Sequence, residues 1–302
     1  MEVLKDAYAT SIYGSRGAAG VILITTKKGT LGKPRVNVGF STLLQQPFRL
    51  PSIMTGDEYA TFYTAYFDTL NNRRPTVGWP PANRSFKKGY NTDWVDEIVQ
   101  TGIGYNFSAS VSGGTDKTRY FISGGYDKEA SYITNNDFQR AQARVNVETS
   151  LSNNFKVGIS TSLSSSINNA LNAQRAYYDA VIKAPNIPIY DSLGLYAWRA
   201  SYSPTNIING SAPQRDLNPA GTINTGKNQV TDLRAIGSVF AEWKLTSWLT
   251  YRFDFGVDWY NTKAYSREID KTGTLRGAAT ESSINNLKTV ANNLLNLSLI
   301  HI

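Results

Sequence analysis

Apolar and polar residues alternate with a period of two along much of this chain, and the alternation is cleanest from Leu249 to Tyr260. There Leu249, Tyr251, Phe253, Phe255, Val257 and Trp259 fall on one side, and Thr250, Arg252, Asp254, Gly256 and Asp258 on the other. Successive side chains of a strand point to opposite faces, so this is a strand with one apolar and one polar face. Asp232 to Leu245 repeats the design, with Ala235, Gly237, Val239, Ala241, Trp243 and Leu245 opposite Arg234, Ser238, Glu242 and Lys244. Only Thr246 to Trp248 separates the two segments, which predicts a hairpin. Two more hairpins follow the same rule. Tyr105, Phe107, Ala109 and Val111 alternate with Asn106, Ser108, Ser110 and Ser112 before GGTDK turns the chain into Tyr120, Ile122 and Tyr126; Gln139 to Ser150 pairs with Phe155 to Ser166 across Ser152 to Asn154. Strands at Pro34 to Leu44 and near Asn286 to Leu299 bring the total to about eight. In the last of these Leu294 and Ile300 interrupt the alternation.

Connection lengths add a second regularity. Links after the first, third, fifth and seventh strands are long, whereas those after the second, fourth and sixth are tight turns, the asymmetry of an outer-membrane barrel. Residues 45–104, 167–231 and 261–285 are therefore read as long extracellular loops. Strands of about 10 to 13 residues exceed the usual length of a soluble sheet, and a face rich in Ser, Asn, Gly and Arg suits a watered lumen. A soluble all-β protein with one wet face is the competing reading. Within the loops, Thr55 followed by Glu58 is a capping box opening a short helix. Asp93 to Val99 is expected to make a helical turn, and Ala176 to Ala200 a helical turn followed by extended, proline-containing backbone.

Composition narrows the chemistry. No apolar run approaches the roughly 18 residues of a membrane-spanning helix, but barrel strands escape that criterion. The formal charge of +8 is scattered rather than gathered into a stripe, so nucleic acid is not expected as a partner. Zero cysteines exclude disulfides and thiolate metal sites, and the single histidine, His301, leaves little imidazole chemistry. Asp254 and Asp258 share a face but stand about 13 Å apart, too far to share a proton or an ion. They, Arg252, and the pair Arg140 and Arg144 are read as lumen polarity. No catalytic, metal or cofactor-binding set is assigned; the chain is read as not an enzyme. With 18 Tyr and 6 Trp, aromatic rings suit interfacial belts or sugar-stacking surfaces. Trp243, Trp248 and Trp259 fall on or beside strands and are assigned to belts, Trp79, Trp94 and Trp198 to loop packing.

The first thirty residues are of another kind. EVLKDAYATSIYGSRGAAGVILITTKKG reads as a short helix, a glycine-punctuated turn at Gly14 to Gly20 and a buried strand from Val21 to Thr26. GSRGAAG is no phosphate loop, because the order is helix, glycines, strand, the reverse of what phosphate binding needs. Arg16, between two glycines, is read as a structural contact.

This segment resembles the closing motif of the plug domain of TonB-dependent receptors, and EVLKDA followed by YGSRGAAGVILITTKKG is similar to the SusC/RagA branch. GKPRV, MTGDEYA, NTDWVDEIVQTG, SASVSGGTDKTRYFISGGYDKEA, FQRAQARVNVETSLSNNFKVGIS and APNIPIYDSLGLY match the same branch, so the resemblance covers the whole chain. It implies an all-β fold: a partial transmembrane antiparallel β-barrel, about eight of the family's 22 strands, behind the C-terminal end of a plug. Residues 1–30 are then plug and 31–302 the first part of the barrel. The resemblance further implies the bacterial outer membrane, nutrient import, a SusD-like surface lipoprotein as lid, energy from the TonB complex, and a glycan or peptide as substrate. Signal, TonB box and most of the plug are expected to be missing, Met1 standing at a break in a gene, so that the chain alone transports nothing. A secreted carbohydrate-binding β-domain and a passive porin are the alternatives; a porin has no use for a plug.

Overall fold

The computed structural model describes residues 2–4, 19–23, 26–73, 89–170, 173–191, 193–197, 218–268 and 277–298. Eight long strands form one sheet: β3 (Gly32–Gln45), β4 (Gly102–Gly114), β5 (Thr118–Ala130), β6 (Asp137–Ser150), β7 (Phe155–Asn169), β8 (Lys227–Lys244), β9 (Leu249–Glu268) and β10 (Ala278–Leu297). Two short strands, β1 (Glu2–Leu4) and β2 (Val21–Leu23), pair antiparallel ahead of them. The short helix expected from Glu2 onward thus begins as strand. Val3 and Ile22 are more than half exposed, so β2 is not the buried strand foreseen from composition. Residues 5–18, with Arg16 and most of the glycine turn, lie outside the described residues.

Each long strand pairs antiparallel with its neighbours in sequence, giving the order β3-β4-β5-β6-β7-β8-β9-β10. The pairing gathers most of the apolar alternates on one face. Phe155, Trp243 and Tyr251 follow one another across β7, β8 and β9, as do Ile159, Val239 and Phe255. On the opposite face Ser160, Ser238 and Gly256 make the matching row. The apolar face remains uncovered: Phe40, Phe107, Ile122, Leu163, Val239 and Leu287 are all more than a third exposed. Such a face suits a solvent of hydrocarbon rather than water. On β9 it runs from Leu249 to Trp259, eleven positions, about what a tilted strand needs to cross a bilayer. Beyond Trp259 the same face turns polar, with Asn261 and Lys263.

Within the described residues the outer strands β3 and β10 pair on one side only, so the sheet is open. At one end the connections are three tight turns, 115–117, 151–154 and 245–248. At the other, two long connections, 46–101 and 170–226, alternate with shorter ones. The loop predicted over 261–285 is mostly strand, leaving 269–277, and the link after β5 shrinks to 131–136. Both shortfalls arise because polar residues continue the ladders past the apolar band, where alternation gives no signal.

The long connections pack together as a unit with its own core. They contain helix α1 (Gly56–Arg73), a single 3-10 turn (Asp96–Ile98), α2 (Ala173–Ile182) and α3 (Pro219–Thr225). Trp94, Val95 and Ile98 from the first connection meet Ala176, Ala180, Ala184, Ile187 and Ile223 from the second, and Ile133 from the β5–β6 link closes the cluster. Two buried polar side chains there find main-chain partners: the Trp94 indole donates to the Ala184 carbonyl (3.0 Å), and the Asn218 amide donates to Ile189 (2.7 Å) while accepting from the Gly221 N–H (2.9 Å).

Candidate functional site

Among the described residues, the polar face of the sheet carries a long-range contact with the amino-terminal segment at residues 27–29. Its geometry starts from β6. Alternation aims Asn146 and Glu148 toward the polar side, and both meet the incoming chain. The Asn146 amide donates to the Lys27 carbonyl (2.6 Å), and the Ser160 hydroxyl donates to the Asn146 carbonyl oxygen (2.6 Å), fixing the amide's orientation. Lys28 lies 3.5 Å from Glu148, which also pairs with Lys156 from the facing strand. Gly29 rests on the main chain of Tyr120 with no room for a Cβ atom. A side chain there would push the segment off the sheet.

Neighbouring charges on this face are paired, within a strand or across strands. The Phe240 ring lies against Gly158, where a Cβ would overlap it, and has the Arg252 guanidinium 4.2 Å from its centroid. Arg252 donates to Asp254 (2.9 and 2.8 Å) and to Glu242 (3.3 Å). Arg234 grips Asp258 with two bonds, 3.0 and 2.8 Å, and Arg140 grips Asp127 with 2.9 and 2.8 Å. Asp254 and Asp258 therefore serve two different arginines, as a spacing too long for a shared proton or ion requires. Among the described residues no three His, Asp or Glu side chains gather as metal ligands. Between the incoming segment and the sheet lies a cavity of about 450 Å³, bounded by Lys27, Asn37, Ser110, Ser123, Gln142, Arg144 and Ser162. Val38, Ala109, Phe121 and Ala143 also line it, so hydroxyls, amides and two cations stand there among apolar side chains.

The remaining assigned residues divide cleanly. Trp94 is fully buried in loop packing. Trp243 stands on the apolar face, its ring 6.4 Å from Phe155, and Trp259 donates to Asn285 (2.8 Å) at the far edge of the apolar band. Trp248 sits in the tight turn after β8, 40% exposed. Trp79, Trp198 and His301 lie outside the described residues. The alternation sets Asn146 and Glu148 with Arg144 opposite Val145 and Val147 but gives them no contact, and it gives no warning of Phe240. Register across the hairpin turn at 151–154 sets Lys156 opposite Ser150, diagonal to Glu148 on the same face, but nothing in the sequence announces that Lys28 joins them.

Sequence and structure comparisons agree with this architecture. No protein-family model matches the chain. It is 36% identical to TonB-dependent receptor P3 of Formosa agariphila over 205 residues, 65% of this chain and 19% of that protein. It is 28% identical to TonB-dependent receptor SusC of Bacteroides thetaiotaomicron over 256 residues, 81% of this chain and 24% of that one. The solved RagAB peptide importer, in its closed-closed state, superposes with a TM-score of 0.69 at 22% identity, covering 96% of this chain and 35% of the solved chain. The chain spans about a fifth to a quarter of the length of the curated relatives it matches. The fold is thus similar to part of the antiparallel β-barrel of the RagAB importer. In sequence the chain is similar to TonB-dependent receptors, SusC among them.

Proposed function

We propose that this chain supplies part of the barrel of a TonB-dependent outer-membrane importer, with residues 1–30 as the closing segment of its plug and residues 31–302 as barrel. One observation carries the reading: the segment at 27–29 is bonded to the polar face of a sheet whose other face is uncovered hydrocarbon. A barrel whose lumen holds a plug has this arrangement, with lipid outside. The long connections then stand on the extracellular side, above the apolar band, and present their packed surface to a lid. By kinship with SusC and with the RagAB peptide importer, the lid is a SusD-like lipoprotein, the cargo an oligosaccharide or a peptide, and the energy comes from TonB. Nothing in the polar cavity calls for catalysis; its work is to pass solute.

The absence of cysteine makes a direct test simple. Val239→Cys and Ser238→Cys sit next to each other in β8 on opposite faces. In isolated outer membranes a water-soluble maleimide should label Ser238→Cys, and only a lipid-soluble one should label Val239→Cys. Equal labelling by the water-soluble reagent, or recovery of the protein in the soluble fraction, overturns the membrane reading. Co-purification of a surface lipoprotein, followed by competition between peptides and oligosaccharides for the complex, tests partner and cargo.

A further inference from the structure

One pocket stands apart from the plug contact, on the outward side of the sheet and beyond the apolar band. It encloses about 250 Å³ and is lined by Asn135, Asp137, Asn169, Asn224, Lys227 and Arg267, among others. Register fixes its side: Asp137 pairs with Asn169, Asn169 with Gln229, and Gln229 with Tyr265, all on the face that carries Leu233 and Trp259 lower down. Lys227 and Arg267 are direct cross-strand partners on that same face. Like charges placed directly opposite each other are unfavourable in a sheet, and an anion between them removes the penalty. Arg267 also donates to the Thr225 carbonyl (3.2 Å), and the Lys227 ammonium lies 5.6 Å from the Tyr265 ring centroid. Both cations are thereby steered toward the pocket, and among the described residues no carboxylate forms an ion pair with either one.

The rest of the lining is of a second kind. Asn135 donates to the Ile223 carbonyl and to Asn224, while Asp137 accepts from Gln139 and Asn169. Amides and a carboxylate held in this way offer spare acceptors and donors to hydroxyl groups, and the carboxylate argues against a bare anion as the only ligand. Height selects among amphiphiles. Arg267 lies eight residues beyond Trp259, about 26 Å along the strand, or roughly 19 Å above the aromatic edge at the tilt of a barrel strand. That is past the interfacial layer of an ordinary phospholipid and within reach of a sugar headgroup. Lys128 and Lys263 share this outward face nearer the band.

The geometry points to this pocket as a binding site for the phosphorylated sugar headgroup of an outer-leaflet glycolipid, with Lys227 and Arg267 on the phosphate and the amides with Asp137 on sugar hydroxyls. The assignment rests on the membrane orientation proposed above. The test uses the full chain in detergent micelles with bisphosphorylated lipid A as probe and native mass spectrometry as readout. The wild-type chain should retain lipid A at least tenfold better than its dephosphorylated form or phosphatidylglycerol. The double variant Lys227→Gln with Arg267→Gln should lose that preference, whereas Lys288→Gln, a cation on the polar face, should keep it. The acyl-free bisphosphorylated glucosamine disaccharide should displace lipid A from the unmutated chain, a measurement independent of how any variant folds. Equal retention of phosphatidylglycerol, displacement by inorganic phosphate as effective as by the disaccharide, or an equal loss in Lys288→Gln each overturns the site. A soluble chain that ignores all lipids would instead sink the membrane reading, so the two failures are told apart.

Discussion

The sheet and the assembly of long connections are built for opposite solvents. In the connections, large apolar side chains such as Trp94, Phe67, Ile98 and Ile223 are fully buried, as in a water-soluble domain. In the sheet, Val36, Val38, Phe40, Leu163 and Trp243 stand half exposed or more, and Phe121 is the one sheet hydrophobe among the described residues counted as buried. Hydrophobic burial therefore stabilises the connections from within. The sheet depends on its hydrogen-bonded ladders and on a surrounding medium that welcomes its outer face. One chain thus contains two notions of inside, and substitutions should separate them.

The largest expected effect is in the connections. Trp94→Ala removes a side chain with zero exposure and leaves its cavity in a small core, at a cost of about 3–5 kcal/mol. Limited proteolysis should then open the connection around α2 and α3, while the sheet keeps its resistance to heating in detergent. If the sheet and the connections lose protection together, the two regions do not stand on separate cores. Next in size is a charge on the apolar face. Phe255→Arg, at the middle of the band on β9, should cost roughly 2–4 kcal/mol in a bilayer. Ser238→Arg, on the polar face of β8, should cost far less. Urea unfolding in lipid vesicles reads the difference, and equal losses would deny that the faces meet different solvents.

How much of this was legible depends on whether the controlling contact is local. Strands β4 to β9 were visible because Phe107, Val145, Val239 and Phe255 alternate with polar neighbours, a signal confined to each strand. The helix start at Thr55 was visible because Glu58 lies within the same turn. The core of the connections was not, since Trp94 and Ala184 are 90 residues apart and meet through irregular backbone with no period to read. The tops of β9 and β10 were missed for a related reason: Asn261 and Lys263 face outward above the band, so polar residues occupy both faces. The contact between Asn146 and Lys27 spans 119 residues, and its partners are types that elsewhere on the sheet only line the polar face. Resemblance to a receptor plug supplied the expectation that periodicity alone withheld.

A smaller effect concerns the junction between the two amino-terminal elements and the sheet. Gly29→Ala places a methyl group against the Tyr120 main chain, an overlap worth about 1–3 kcal/mol if the segment stays docked. The segment should instead lift away, exposing Lys27 and Lys28 to trypsin at a rate at least fivefold above wild type. Unchanged cleavage would mean that Gly29 does not rest against the Tyr120 main chain.

The smallest effect belongs to the first turn of α1, and pH exposes it. The Thr55 N–H donates to the Glu58 carboxylate (2.9 Å), the Thr55 hydroxyl donates to the same oxygen (2.9 Å), and the Glu58 N–H donates back to that hydroxyl (3.3 Å). These bonds, the main-chain one foremost, hold the Glu58 carboxyl below its ordinary value of 4.5. A carboxyl whose folded value is depressed contributes stability that is fully present above the unfolded value and is lost as pH falls through the folded one. The first turn of α1 should therefore fray below about pH 4.5, seen as faster amide exchange at Tyr59 and Ala60, with the shift small because the group is exposed to water. Glu58→Gln retains an acceptor for the Thr55 N–H but has no proton to gain, so its exchange should lack the acid step. The sheet ladders at Val239 and Phe255 carry no such carboxylate on their outward face and should show no parallel change in either protein. Fraying of equal size in Glu58→Gln would mean that acid acts on α1 through another group.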